Sequence, residues 1–312
     1  MGVPVRAYVF PGQGAQVVGM GRDLADGYAE AKAVFDAVDE ALGEPLSRLI
    51  WEGTADELTL TRNAQPALMA TSLAALAALE AEGHGLAEAG YVAGHSLGEY
   101  SALCAAGAIS LADTARLLRL RGQAMQEAVP VGAGAMAALL GLGLDAVTEI
   151  AMEAAQGEVC EAANDNDPAQ VVVSGHRAAV ERAVELAKSR GAKRALLLPV
   201  SAPFHCSLMQ PAADAMAAAL ADVAIARPKV PLVSNVKAEG TQDPEEIRRL
   251  LVEQVTGRVR WRESVLWMAG QGVDATTEIG AGKALSGMIR RISKDISVSA
   301  VNGPADIAAL AA

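Results

Sequence analysis

One serine between two glycines and a set of four histidines are the residues of this sequence most able to do covalent chemistry. Ser96 stands in GHSLG, which fits G-x-S-x-G, where the glycines permit a sharp strand-to-helix turn that lifts the hydroxyl out of the fold. A serine that only helps the chain turn would satisfy the same pattern. A hydroxyl nucleophile needs a base, usually histidine. His84 lies in EGHG after a helix and reads as solvated, and His176 in SGH reads as the start of a helix. His95 adjoins the serine on the turn, where neighbouring side chains point in different directions. His205 is left as the candidate base, in PVSAPFHCSL, a segment stiffened by Pro199 and Pro203. A histidine merely packed at a junction is the competing reading. No carboxylate lies within eight residues of His205 on either side, so its orienting partner is a distant acid or a backbone carbonyl.

Acyl transfer through serine also requires two N–H donors facing the developing oxyanion. Leu97, following the serine at a helix start, offers one through its backbone. The second is expected from a glycine-rich turn, and PGQGAQ supplies one with Gln13 between its glycines; those glycines would equally serve a turn with no part in catalysis. In TARLLRLRGQAMQEAV, Arg116 and Arg119 share a face with Ala115 and Gln123, whereas Arg121 shares its face with Leu117, Leu118 and Met125. Leaving a guanidinium buried and unpaired costs on the order of several kcal/mol. Arg121 therefore calls for an anion, either a structural Asp or Glu or a substrate carboxylate held at two points.

The elements that must position these residues can be read in outline. RAYVF (6–10) is a strand ending in PGQGAQ, followed by helices near Ala29–Leu42 and Ala64–Glu82. YVAG (91–94) is a buried strand that feeds Ser96 into a helix beginning near Leu97, and a further helix spans Leu111–Ala128. After Pro130, Gly132 and Gly134 the order changes. GAMAALLGL reads as a strand, Asp145–Ala155 as a helix, GEVCEAAN and AQVVVSG as strands, Arg177–Ser189 as a helix and KRALLLPV as a strand. This βαββαβ order is the ferredoxin-like signature and places a small inserted domain at about 130–199. A helix near Ser207, a strand in VPLVSN, a helix near Pro244–Val255, and strands in VDATTEIG and ISVSAVNG complete the chain.

Composition narrows the classes of function. With 312 residues, 52% hydrophobic and 20% charged, the chain can bury one large core or a main core plus a smaller one. Aromatic residues are only 3% and alanine abounds, so helices are expected to pack through small side chains. A net charge of −11 argues against a nucleic-acid or anionic-membrane partner. Cys104, Cys160 and Cys206 form no CxxC pair and read as packed, reduced thiols of a cytoplasmic protein. MGVPVRAYVFPG has no basic stretch leading into a long apolar one, so no secretory signal is expected, and its Met-Gly start alone does not make a lipidation site. The charge-free stretch Ala195–Ala213 is broken by three prolines and makes a poor membrane span.

FPGQGAQ, NAQPAL, GHSLGEYSAL, RGQAMQEAVP, the histidine in SAPFHC, and EQVTGRVRW occur in this order from residue 10 to residue 261. Together they resemble the malonyl-CoA:acyl carrier protein transacylases. The resemblance implies an α/β-hydrolase-like catalytic domain, residues 1–129 and 200–312, interrupted by the ferredoxin-like domain at 130–199. It implies that Ser96 attacks the malonyl thioester, that His205 takes and returns the proton, and that the backbone N–H groups of Gln13 and Leu97 hold the oxyanion. Arg121 would hold the malonyl carboxylate, the main-chain carbonyl of Gln254 would orient His205, and Gln65 would support the pocket. No metal or redox cofactor is called for. Malonyl-CoA and acyl carrier protein are the implied partners. The carrier protein is acidic and would meet a local basic cluster, for which Lys188, Arg190, Lys193, Arg194, Lys283, Arg290 and Arg291 are candidates. A serine esterase or thioesterase, and a non-catalytic carrier-protein-binding subunit, are the alternatives.

Overall fold

The computed structural model describes residues 5–311; the expectations for the Met-Gly start fall outside them. In chain order the strands are β1 (Val5–Phe10), β2 (Ala89–Gly94), β3 (Gly134–Leu140), β4 (Cys160–Asp167), β5 (Gln170–His176), β6 (Arg194–Leu197), β7 (Leu232–Val233), β8 (Gly240–Thr241), β9 (Val273–Ile279) and β10 (Ser297–Val301). They build two sheets. The larger has the order β10-β9-β1-β2-β7-β8 and is parallel except for the β7/β8 pair. Strands covered on both faces need apolar residues on both, and β1 has them. Ala7 and Val9 pack with Trp261, Val265 and Met268 on one side, while Tyr8 and Phe10 join the larger core on the other.

The second sheet is antiparallel with the order β4-β5-β3-β6. Its helices, Leu144–Ala155 and Arg177–Ser189, share a separate core with alternate strand residues, Ala135, Ala137 and Leu139 of β3 and Val171 and Val173 of β5. The intervening Met136, Ala138 and Val172 point the other way, toward the larger unit. The protein is thus an α/β-hydrolase-like unit with a ferredoxin-like one inserted. We propose the chain division 1–129 with 200–312, and 130–199, on the strength of this separate core.

The sequence expectations need correcting at several ends. β4 begins at Cys160, three residues into the GEVCEAAN run, because Gln156 and Gly157 take positive φ values of 46° and 89° and turn the chain first. It then continues through the polar NDND to Asp167, because the buried Asp165 and Asp167 are paired with Arg262 and Arg291 of the larger unit. Only Leu232–Val233 of VPLVSN joins the sheet; the chain then closes a turn in which Ala238 N–H donates to Ser234 O. KRALLLPV pairs only over Arg194–Leu197 before leaving to line the cleft. The helix expected near Ser207 starts as a 3-10 turn, Ser207–Met209, and continues as Gln210–Ala221. The helix expected from Ala64 begins at Thr61, and Pro66 lies inside it. Proline cannot donate to the carbonyl four residues back; Arg62 O accepts instead from Arg119 Nη1 at 2.6 Å. Helices Trp261–Gly270 and Ala284–Ile292 had no place in the sequence reading. No helix of the described residues is long and apolar enough to cross a membrane.

Candidate active site

β1 and β2 lie side by side and parallel, so their carboxyl ends bring PGQGAQ and GHSLG together. The glycines are there for close approach. A Cβ on Gly98 would lie 2.2 Å from Phe10 O, and one on Gly94 would lie 2.0 Å from the Gly98 backbone. Ser96 itself sits at φ 54°, the left-handed region that side chains other than glycine seldom occupy. Its N–H donates to Asn235 Oδ1 at 2.7 Å, and Asn235 Nδ2 donates to Gly94 O at 2.7 Å, so one amide clamps both sides of the turn.

Ser96 Oγ is 2.7 Å from His205 Nε2. His205 Nδ1 lies 2.9 Å from Gln254 O and 3.2 Å from Gly257 O. Carbonyl oxygens only accept, so Nδ1 carries the proton and Nε2 is left to accept from the serine. The acid missing near His205 in sequence is replaced by these two carbonyls. His205 is buried, and burial first, then the Arg121 charge, lower its pKa from 6.5 to about 3. The imidazole is therefore neutral and able to act as a base at neutral pH.

Arg121 is 1% exposed. Its Nη1 donates to Gln65 Oε1 at 2.7 Å, and its Nη2 donates to Gln254 Oε1 at 2.8 Å and to Ser96 Oγ at 3.2 Å. The guanidinium lies over the Tyr100 ring, 5.7 Å from its centroid. No carboxylate among the described residues forms an ion pair with it, and its Nε has no hydrogen-bond partner there. Glu99 is the nearby acid. It is fully buried, accepts from Gln254 Nε2 at 2.6 Å and from Asn235 N–H at 3.2 Å, and burial raises its pKa to about 7 against those bonds and the Arg121 charge. Burial works on Arg121 in the opposite direction, disfavouring its charged form.

The structure thus brings Ser96, His205, Arg121, Gln254 and Gln65 into one connected cluster. Gln254 does more than its carbonyl suggested, since its side chain bonds both Arg121 and Glu99. The backbone N–H groups of Gln13 and Leu97 have no hydrogen-bond partner among the described residues. Of the other histidines, His84 is half-buried with Glu88 at 2.8 Å, and His176 precedes helix Arg177–Ser189 as expected. His95 turns away from the serine to meet Asn166 Oδ1 of β4 at 2.8 Å. Sequence reasoning missed Asn235, Glu99 and Thr61; only Glu99 stood inside a motif singled out, GHSLGEYSAL.

These residues open onto a cleft of about 780 Å³ between the two units. Gln13, Ser96, His205 and Leu285 line one wall, and Met136, Ala138 and Val172 form an apolar wall opposite. Among the described residues no group of three or more His, Cys, Asp or Glu side chains could hold a metal ion.

A hydrolase-like sheet with an inserted ferredoxin-like unit and an elbow serine facing the cleft defines an acyltransferase. In agreement, the family model described as "Acyl transferase domain" matches residues 7–305. The malonyl CoA-acyl carrier protein transacylase of Escherichia coli K12 is 48% identical over 303 residues, covering 97% of each chain. The crystal structure of an acyl-carrier-protein-S-malonyltransferase from Bartonella henselae is 55% identical, with a TM-score of 0.96 and 98% of each chain covered. A malonyl-transacylase solved in complex with a type II PKS acyl-carrier protein is 43% identical, with a TM-score of 0.94, covering 97% of this chain and 98% of that one. The chain belongs to the malonyl CoA-acyl carrier protein transacylase family.

Proposed function

We propose that this protein transfers the malonyl group of malonyl-CoA to the phosphopantetheine thiol of acyl carrier protein, supplying extender units for fatty-acid synthesis. The observation that carries the reading is a buried guanidinium without an ion-pair partner among the described residues, Arg121, 3.2 Å from a serine hydroxyl that is 2.7 Å from a neutral histidine. Ser96 Oγ attacks the thioester carbonyl as His205 Nε2 takes its proton. The tetrahedral oxyanion faces the N–H groups of Gln13 and Leu97. Its collapse breaks the C–S bond, and His205 returns the proton to the departing CoA sulfur. The carrier thiol then repeats the sequence in reverse, regenerating the Ser96 hydroxyl. Arg121 holds the malonyl carboxylate at two points, the one anion its position lacks.

The carrier protein's acidic surface meets local positive charge on this acidic enzyme. Among the seven candidates, Lys188 pairs with Glu185, Arg190 with Glu149 and Glu153, Lys283 with Asp306 and Arg291 with Asp167. Lys193, Arg194 and Arg290 are exposed and form no such pair among the described residues. We therefore assign docking first to these three.

The test is product analysis with malonyl-CoA, with and without holo acyl carrier protein. Malonyl-carrier protein as the main product supports transfer; free malonate as the main product assigns the site to a thioesterase. Hydrolysis has no structural support comparable to Arg121, and His205 lacks the carboxylate partner that serine hydrolases normally give their base.

A further inference from the structure

Thr61, which the proposed chemistry does not use, joins the arginine to the turn that carries Gln13. It is fully buried at the first turn of helix Thr61–Ala81. Gln65 Nε2 donates to Thr61 Oγ1 at 3.0 Å, and Thr61 Oγ1 donates to Gln13 Oε1 at 2.7 Å. The direction of this chain is set from the arginine end. A guanidinium can only donate, so Arg121 fixes Gln65 Oε1 as an acceptor, at 2.7 Å. Gln65 then presents its NH2 end to Thr61, and the only hydroxyl proton of Thr61 is left for Gln13 Oε1. The Gln13 side chain, which lines the cleft, is therefore held by its oxygen.

The packing around Thr61 holds this geometry in place. Helix Leu111–Glu127 crosses directly over it, and a Cβ on Gly122, the residue after Arg121, would lie 2.5 Å from Thr61 O. Arg121, Gln65 and Thr61 are thus pinned to one helix crossing, while the turn that the chain reaches at Gln13 is partly exposed and has no strand or helix of its own. We propose that Thr61 is a positioning residue, whose hydroxyl fixes the Gln13 turn so that the Gln13 backbone N–H faces the oxyanion. This rests on the assignment of Ser96 and Gln13 made above. An oxyanion donor displaced by about 1 Å loses rate on the order of 10²-fold, and the loss falls on the chemical step.

The experiment compares Thr61→Val, which keeps the shape and removes the hydroxyl, with Thr61→Ser, which restores it, in single-turnover acylation of Ser96. Thr61→Val is expected to slow acylation by roughly 10- to 100-fold with both malonyl-CoA and acetyl-CoA, with KM changed by less than about 3-fold, and Thr61→Ser to recover to within about 3-fold of wild type. Gln13→Ala, on the exposed end of the chain, is expected to reproduce the loss, and it decides the matter should Thr61→Val fail to fold. Wild-type acylation in Thr61→Val or Gln13→Ala, an effect on KM alone, or a Thr61→Ser as slow as the valine variant would overturn the proposal. So would a loss confined to malonyl-CoA, which would assign Thr61 to the carboxylate clamp instead. Absence of acylation in the wild-type protein would overturn the site assignment itself, a different and separable result.

Discussion

Ser96 and His205 both hold left-handed backbone conformations, at φ 54° and 57°. Such positions cost about 1–3 kcal/mol each and persist where the surroundings over-determine them; here Asn235 holds one residue and the carbonyls of Gln254 and Gly257 the other. At this scale the charge of Arg121 depresses the His205 pKa and, on the proposed function, attracts the malonyl carboxylate. Arg121→Ala is accordingly expected to reduce malonyl transfer by roughly 10²-fold or more, on the scale of a lost buried charge contact, and acetyl transfer far less. Equal losses for the two acyl groups would remove the clamp. The pH profile follows from the same geometry. His205 must be neutral to accept the serine proton, and its pKa lies near 3 rather than 6.5. The rate of Ser96 acylation should therefore hold as pH falls through 6.5 and drop only in more acid solution. In Arg121→Ala, assayed with acetyl-CoA, the acid limb should move upward, because the second-largest cause of the depression, the Arg121 charge, is gone. An acid limb at the ordinary histidine value in the wild type would contradict the burial of the base.

The elements that carry the site were legible where a short motif sat on a periodic segment. β2 and the helix after it followed from YVAG running into GHSLGEYSAL, and helix Arg177–Ser189 matches its sequence reading end for end. β4 was misplaced because its polar NDND stretch reads as a loop until the arginines that pair with it, about a hundred positions away, are in view. Asn235 was invisible for a similar reason: it bonds to Ser96 across 139 positions, and nothing local distinguishes it from any asparagine after a strand. Arg121 was legible because a single helix shows its wrong-sided charge. The elbow gives a prediction at this scale. Gly98→Ala would set a methyl 2.2 Å from Phe10 O, and relief must come from moving β1 or the helix. A loss of roughly 1–3 kcal/mol of stability is expected, read as a lower Tm, together with slowed acylation of Ser96. An unchanged Tm and rate would show that the turn is looser than its contacts imply.

Across the whole molecule, the site exists because two separately cored units face each other over one cleft. Ion pairs of the buried Asp165 and Asp167 with Arg262 and Arg291 hold β4 to the larger unit, and His95, next to Ser96, reaches Asn166. On the proposed function, the net charge of −11 makes the approach of an acidic carrier unfavourable at long range, and docking is expected to depend on a few cations that form no ion pair among the described residues and on ionic strength. Reversing Lys193 and Arg194 to Glu should slow transfer from preformed malonyl-Ser96 to carrier protein by roughly tenfold, a rim-charge effect, while transfer to free pantetheine is unchanged. Equal rates to the carrier protein would place docking elsewhere.

The most direct test of the account is the intact mass of the protein after brief exposure to malonyl-CoA. A gain of one malonyl group is expected, located on Ser96, absent in Ser96→Ala, and lost again on adding holo acyl carrier protein as the carrier gains it. An unmodified wild-type protein, or an adduct that persists in Ser96→Ala, would contradict it.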